Sequence, residues 1–169
     1  MGILLFAAAA VAVAGCGTVS GEAGPEQPTA SNPAFDPCDD IPDDAIRAVG
    51  MDPATESRDI LGVHQPGWNL CGWNNATHFL SVLATNYSIE DVRRNADYES
   101  FSDSTIGERS VVQYHDATDR AGTDCDLATA SAGGAVVISV SESGERPADQ
   151  QPCSVVWEAA TTLLPFVPE

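Results

Sequence analysis

The side chains with most chemistry to offer in this 169-residue chain are five cysteines, Cys16, Cys38, Cys71, Cys125 and Cys153, and three histidines, His64, His78 and His115. Cys16 stands apart from the rest. It follows Val13-Ala14-Gly15 at the end of an uncharged apolar run that begins at Ile3. Small residues placed immediately before such a cysteine are the pattern of a lipobox, whose thiol takes a diacylglycerol before the signal is cut away. An apolar run of about a dozen residues is too short to cross a bilayer, which needs roughly 20, yet it fits the core of a secretory signal. Residues 1–15 are therefore expected to be a lipoprotein signal peptide, with cleavage before Cys16. Signals usually open on basic residues, whereas Met1-Gly2 lead straight into the apolar run, as a start placed too late or a trimmed chain would leave it.

The other four cysteines are even in number, widely spaced and free of any Cys-x-x-Cys. In an exported domain that arrangement favours two disulfides over a zinc site or a thioredoxin-like pair. Three pairings are open on sequence. Cys38 with Cys71 and Cys125 with Cys153 is the favoured one because it closes the most local loops, of 33 and 28 residues. In the chain-entropy model each bridge contributes about 3.5 kcal/mol by restricting the unfolded chain. A catalytic thiol is disfavoured, since Asp124 and Asp126 flank Cys125 and negative charge opposes the thiolate.

Other catalytic constellations do not emerge. There is no Gly-x-Ser-x-Gly elbow, no His-Glu-x-x-His, no phosphate-cradling glycine loop and no dinucleotide fingerprint. His115 precedes Asp116, but neighbours on a strand point to opposite faces and do not pair. The carboxylates Asp36, Asp39, Asp40, Asp43 and Asp44 crowd one segment without the spacing of a calcium loop, so no metal is expected. Trp68, Trp73 and Trp157 could line a groove, but a large indole is more often core, and Trp73 beside Cys71 reads as packing around a disulfide. The expectation is a chain that is not an enzyme and carries no cofactor; an envelope hydrolase with a His/carboxylate site is the alternative.

The elements that must position these residues follow from composition and periodicity. Residues 16–34 hold the candidate lipidated cysteine and then Gly, Pro, Ser and Thr with only Val19 as a sizeable apolar side chain; they cannot bury enough surface to fold. As a flexible tether they span on the order of 25 Å. Residues 35–169 then suffice for one domain with a real core. A short helix is expected near 42–49, with Pro42 in its first turn and Gly50 as its stop. Alternation from Asn69 to Thr85 predicts strand, and Ser88 caps a second helix whose acidic start and basic end, Glu90-Asp91 and Arg93-Arg94, match its dipole. After a polar loop through Ser104, strands are expected at 106–114, 125–131 and 135–141, the last two joined as a hairpin by Gly133-Gly134. A closing helix starts near Pro152, with Cys153 in its first turn. Strands grouped between helices predict an α+β fold, an antiparallel sheet of four to six strands with helices packed on one face.

Charge narrows the partners. There are 25 Asp and Glu against seven Arg, with no Lys, for a formal net charge of −18. Such a chain is repelled by phosphate backbones and anionic lipid surfaces, so nucleic acid is excluded as a partner. Membrane attachment must then come from acyl chains such as palmitate on Cys16, each buried methylene contributing about 0.8 kcal/mol.

Taken in order, the lipobox at Val13 to Cys16, the Gly/Pro/Ser/Thr tether, Phe35-Asp36-Pro37-Cys38 before a helix ending at Gly50, Cys71-Gly72-Trp73, and Cys125-Asp126-Leu127-Ala128 with Pro152-Cys153 resemble the actinobacterial lipoproteins of the domain of unknown function 3558 family. The resemblance covers nearly the whole chain after the signal. It implies an exported, membrane-tethered domain with paired cysteines on the extracytoplasmic face of the cell membrane, and it brings no activity with it. The functional expectation is a non-enzymatic binding role in the cell envelope, toward an unknown small molecule or envelope protein.

Overall fold

The structure is a computed structural model that describes residues 31–59, 61–144 and 150–169. The expected signal, the candidate lipobox with Cys16 and most of the expected tether lie outside the described residues.

Seven antiparallel strands form one sheet in the order β1-β2-β3-β7-β6-β5-β4. They are β1 (Asp52–Arg58), β2 (Trp68–Asn74), β3 (His78–Thr85), β4 (Tyr98–Ile106), β5 (Arg109–Asp116), β6 (Asp124–Ser131) and β7 (Gly134–Glu142). Four α-helices accompany them: α1 (Pro37–Asp40), α2 (Asp43–Ala48), α3 (Ile89–Arg94) and α4 (Pro152–Leu163), the last continuing into a 3-10 turn, Leu164–Phe166. The α+β class holds, and the strand count exceeds the four to six expected from sequence.

The inner face of the sheet carries the main core. Strand alternation puts Trp73, Leu80, Val82, Leu127, Ile138 and Val140 there, packed against Val156, Ala159, Ala160 and Leu163 of α4 and against Ile46 of α2. Two disulfides tie helices to this face. Cys38 of α1 pairs with Cys71 of β2, and Cys125 of β6 with Cys153 of α4, the pairing that local loop closure favours.

Helices on one face only is the expectation that the structure corrects. From β3 in the middle of the sheet the chain must reach β4 at its far edge, and it crosses the outer face to get there. α3 is the piece of chain that makes this crossing. Ser88 and Asp91 cap each other's backbone at its start, and Val92 packs with Val112, Tyr114, Ala128 and Val137 in a second, smaller core. Three helices thus lie on the inner face and one on the outer.

The acidic segment 36–44 resolves into local structure. Asp36 caps α1, Asp36 and Asp39 hold Arg58, and Asp43 and Asp44 hold Arg47. These exposed pairs contribute about 0–1 kcal/mol each. Pro42 lies just outside α2 as its N-cap rather than in its first turn, and Gly50 follows the helix with φ of 77°, a left-handed conformation that suits glycine.

Candidate functional site

The three histidines are placed apart. His78 is 1% exposed, with Nδ1 against the Thr77 hydroxyl and Nε2 donating to the Gln150 carbonyl, 3.1 Å away. A carbonyl only accepts, so Nε2 carries the proton and the ring is a structural link between β3 and the entry to α4. His64 lies 3.0 Å from the Asp59 carboxylate through Nδ1 and 3.1 Å from the Asn32 side chain through Nε2. That is a His/carboxylate pair, but among the described residues lining the hollow around it there is no hydroxyl or thiol. His115 sits beside the Cys125–Cys153 bridge, with Nδ1 against the Asp124 carbonyl. It does not pair with Asp116, as strand alternation requires.

The tryptophans separate by environment. Trp73 is 1% exposed in the main core, its indole N–H without a hydrogen-bond partner. Trp157 packs at the edge of that core and donates to Gln113 at 2.6 Å. Trp68, at the start of β2, stands instead on the outer face, where it is a wall common to two hollows.

The larger hollow, about 360 Å³, lies between α3 and the sheet. Its floor is Val137 and Tyr114, α3 supplies Val92, and Trp68 and Tyr87 close one side while Tyr98 closes the other. The aromatic rings come in pairs. Trp68 and Tyr87 have centroids 5.8 Å apart, Tyr98 and Tyr114 4.7 Å. The smaller hollow, about 200 Å³, continues past Trp68 over Leu70 and Leu83 to Val63. Val63 and Tyr87 are more than half exposed, so the rim offers apolar surface to whatever enters. Among the described residues, neither hollow is lined by Lys, Arg or His.

Beside this cleft the sheet turns acidic. Asp126 of β6 has Tyr114 and Ser139 as its cross-strand neighbours and so shares the outer face with them. Burial pushes its carboxyl up to about 6, against a Ser139 hydrogen bond that favours the charged form. Burial also raises Asp124, reinforced by Asp119 and Asp116. The phenols of Tyr98 and Tyr114 are raised too, first by burial and then by the Asp126 charge, which keeps both as neutral hydroxyls able to donate. Apolar floor, aromatic walls and a few hydroxyl and carboxyl groups form the usual make-up of a small-molecule site, for which about 300–1,000 Å³ is typical.

The Asp126 shift carries a stability consequence. A carboxyl whose folded-state pKa lies above its unfolded value of roughly 3.9 favours the folded state when protonated. Its contribution is best below about pH 4 and is lost as pH climbs to about 6; above that the buried charge costs on the order of 3 kcal/mol. Asp126→Asn keeps an acceptor for Ser139 and removes the charge. Thermal melts should therefore show the variant more stable than wild type at pH 7.5, with the gap closing by pH 4; a variant less stable at both would mean that the carboxylate is held by bonds worth more than its desolvation.

Sequence reasoning weighed a groove against the core for Trp68 and favoured the core, and it did not reach Tyr87, Tyr98, Tyr114 or Asp126. The available signal was the run Trp68, Leu70 on β2 with Leu83 on β3, apolar side chains on the face opposite Cys71 and Trp73 that the inner helices cannot cover.

No curated protein and no solved structure matches the chain. A family model matches residues 11–165, from just before the candidate lipobox to the 3-10 turn that follows α4. With a cysteine framework, a seven-stranded sheet and an aromatic cleft all inside the matched span, the chain belongs to the family described as protein of unknown function, DUF3558.

Proposed function

We propose that this chain is an exported lipoprotein, held on the outer face of the cell membrane by acyl chains on Cys16, that binds a small, partly apolar molecule without transforming it. The cleft around Trp68 carries this reading. A sheet face left uncovered on both sides of one indole, walled by aromatic pairs and free of cationic side chains, is suited to a ligand with an apolar or ring-bearing body. The export half rests on the lipobox at Val13 to Cys16 and on the two cysteine pairs, which persist in oxidising compartments.

A neutral probe tests the binding half, because the acidic surface would repel an anionic dye. N-phenyl-1-naphthylamine should brighten on the protein, and Trp68→Ala should weaken its affinity about tenfold or more, the equivalent of about 1.4 kcal/mol of lost contact. Phe166→Ser, at an exposed side chain beside α4, should leave affinity unchanged. Equal binding by the Trp68 variant and wild type would contradict the assignment. For the anchor, Cys16→Ala should move the protein from the membrane fraction to the medium or leave it unprocessed; unchanged attachment would reject lipidation at that residue.

A further inference from the structure

The two disulfides have different surroundings, and the difference concerns what happens to a sulfur once it is reduced. Cys125 is fully buried, while Cys153 is partly exposed. Cys153 is the second residue of the 12-residue helix α4, where the positive end of the helix dipole favours a thiolate. Its Sγ lies 3.8 Å from Nε2 of His115. The other ring nitrogen, Nδ1, is 3.1 Å from the Asp124 carbonyl; a carbonyl only accepts, so Nδ1 carries the proton and Nε2 of the neutral ring faces the sulfur with a bare lone pair. The ligand atoms of His115, Cys125 and Cys153 all lie within 4.8 Å of one another.

The remaining charges do not cancel this. Asp124 and Asp126 flank Cys125 in sequence, but they project from the opposite face of the sheet, so the argument that their charge suppresses a thiolate fails on geometry. Glu142 ends β7 on the same face as Cys125 and is outside the His115 set. At the Cys38–Cys71 bridge the corresponding neighbour is a carboxylate, Glu56, within 4.8 Å of both sulfurs, which opposes ionisation of either thiol. Only the second bridge, among the described residues, has an imidazole.

We infer that Cys125–Cys153 is an exchange-competent disulfide that takes electrons from low-molecular-weight thiols, with Cys153 as the reacting sulfur and His115 as its proton acceptor. A donor thiolate attacks the exposed Cys153 Sγ, the bridge breaks, and Cys125 Sγ leaves with the electron pair and takes a proton. A second donor thiolate attacks the donor sulfur of the mixed disulfide and releases Cys153. Two donor thiols end as one disulfide, and the bridge ends as two thiols. The Cys153 proton then passes to Nε2 of His115, leaving an imidazolium–thiolate pair at the helix start. α4 keeps its place in this state, because Val156, Ala159, Ala160 and Leu163 remain buried against the sheet.

The test is graded reduction of the whole protein with dithiothreitol or glutathione at pH 7, trapping with iodoacetamide and mass mapping of each cysteine. Cys125 and Cys153 should be labelled while Cys38 and Cys71 stay paired and near-ultraviolet circular dichroism is retained. In the selectively reduced protein, the pH midpoint of Cys153 alkylation should fall at least about one unit below the ordinary thiol value of roughly 8.5. His115→Gln should raise that midpoint by about one unit, and shift the equilibrium toward the disulfide by less than about twofold at pH 7 and toward about tenfold only above about pH 9. Reduction of Cys38–Cys71 first, or of both bridges together with loss of tertiary structure, would overturn the inference in wild type alone. So would a Cys153 midpoint at or above 8.5, or one indifferent to His115→Gln.

Discussion

Gly134→Ala should destabilise the fold by about 3 kcal/mol, the largest loss expected from adding a single methyl group anywhere in the described chain. A Cβ at this position would lie 1.9 Å from the Thr85 carbonyl oxygen and 2.8 Å from the Asn86 Cα. Both are backbone atoms of the strand end that β7 must approach, and neither can swing away as a side chain tip would. β3 and β7 are the central pair of the sheet, in register from His78↔Glu142 to Thr85↔Ala135, so relief requires parting the strands where the two halves of the sheet meet. The neighbouring Gly133 provides the control. Its φ is 86° and an added Cβ meets nothing within 4 Å, so Gly133→Ala pays only the left-handed backbone cost of about 1–2 kcal/mol. Urea unfolding of both variants should rank Gly134→Ala as the more damaging; the reverse order would mean that turn strain, rather than strand approach, limits this hairpin.

Arg109→Met should cost about 3 kcal/mol, although Arg109 has no acidic partner among its recorded hydrogen bonds. Its guanidinium donates to four carbonyls: Leu164 at 3.2 Å and Val167 at 2.6 Å through one nitrogen, Ala130 at 2.8 Å and Pro168 at 3.0 Å through the other. Leu164 and Val167 are both under 5% exposed; the Leu164 carbonyl also accepts from the Val167 N–H and the Pro168 carbonyl from the Ser131 hydroxyl, each at 3.0 Å, so the Val167 carbonyl, past the end of the 3-10 turn, depends most on Arg109. Charge-assisted bonds to such groups are worth about 1.5–3 kcal/mol, and leaving a carbonyl buried without a donor adds a desolvation penalty. Methionine keeps much of the apolar stem, so the loss isolates the guanidinium. Arg109→Lys should recover only part of it, since an ammonium cannot span four acceptors held in a plane. Chemical denaturation measures both; a loss below 1 kcal/mol for Arg109→Met would show that water satisfies these carbonyls equally well.

Much of the interior was legible because burial writes periodicity. Val136, Ile138 and Val140 alternate on a strand that is central to the sheet, and the hairpin of β6 and β7 sits where Gly133-Gly134 places it. Within that hairpin the two glycines serve different ends: only Gly133 takes a positive φ, while Gly134 pairs with Ser131 and is needed for close approach. The cysteine pairing was readable because it closes the most local loops of the three possible pairings, with separations of 33 and 28 residues.

The stretch from Asn69 to Thr85 read as strand is two paired strands, β2 and β3, and the two strands missed altogether are the two edges. β1 and β4, reading Asp-Pro-Ala-Thr-Glu-Ser-Arg and Tyr-Glu-Ser-Phe-Ser-Asp-Ser-Thr-Ile, have no fully buried residue between them. An edge strand needs charge and irregularity to discourage pairing with other chains, and those features erase the alternation by which strands are recognised. β4 even carries a register shift between Glu99 and Ser102, with Ser100 at φ 60°, the mark of a bulge. Missing β4 had a further effect. With β3 and β4 at opposite sides of the β5–β7 block, the connecting helix must cross the outer face; with β4 read as loop, α3 had no reason to leave the other helices. The cleft that α3 helps to wall was therefore invisible, and for Trp68 the core was favoured over the groove that it in fact lines.

A binding role requires that the cleft around Trp68 be occupied in the cell. Native mass spectrometry of the protein, extracted gently from cells that produce it, measures that directly. Wild type should carry a bound small molecule of one or a few discrete masses, released on denaturation, and Trp68→Ala should arrive without it while retaining the same charge-state distribution. A wild-type protein that is empty in every preparation, or a ligand that Trp68→Ala holds as fully, would contradict the assignment of this face as the binding site.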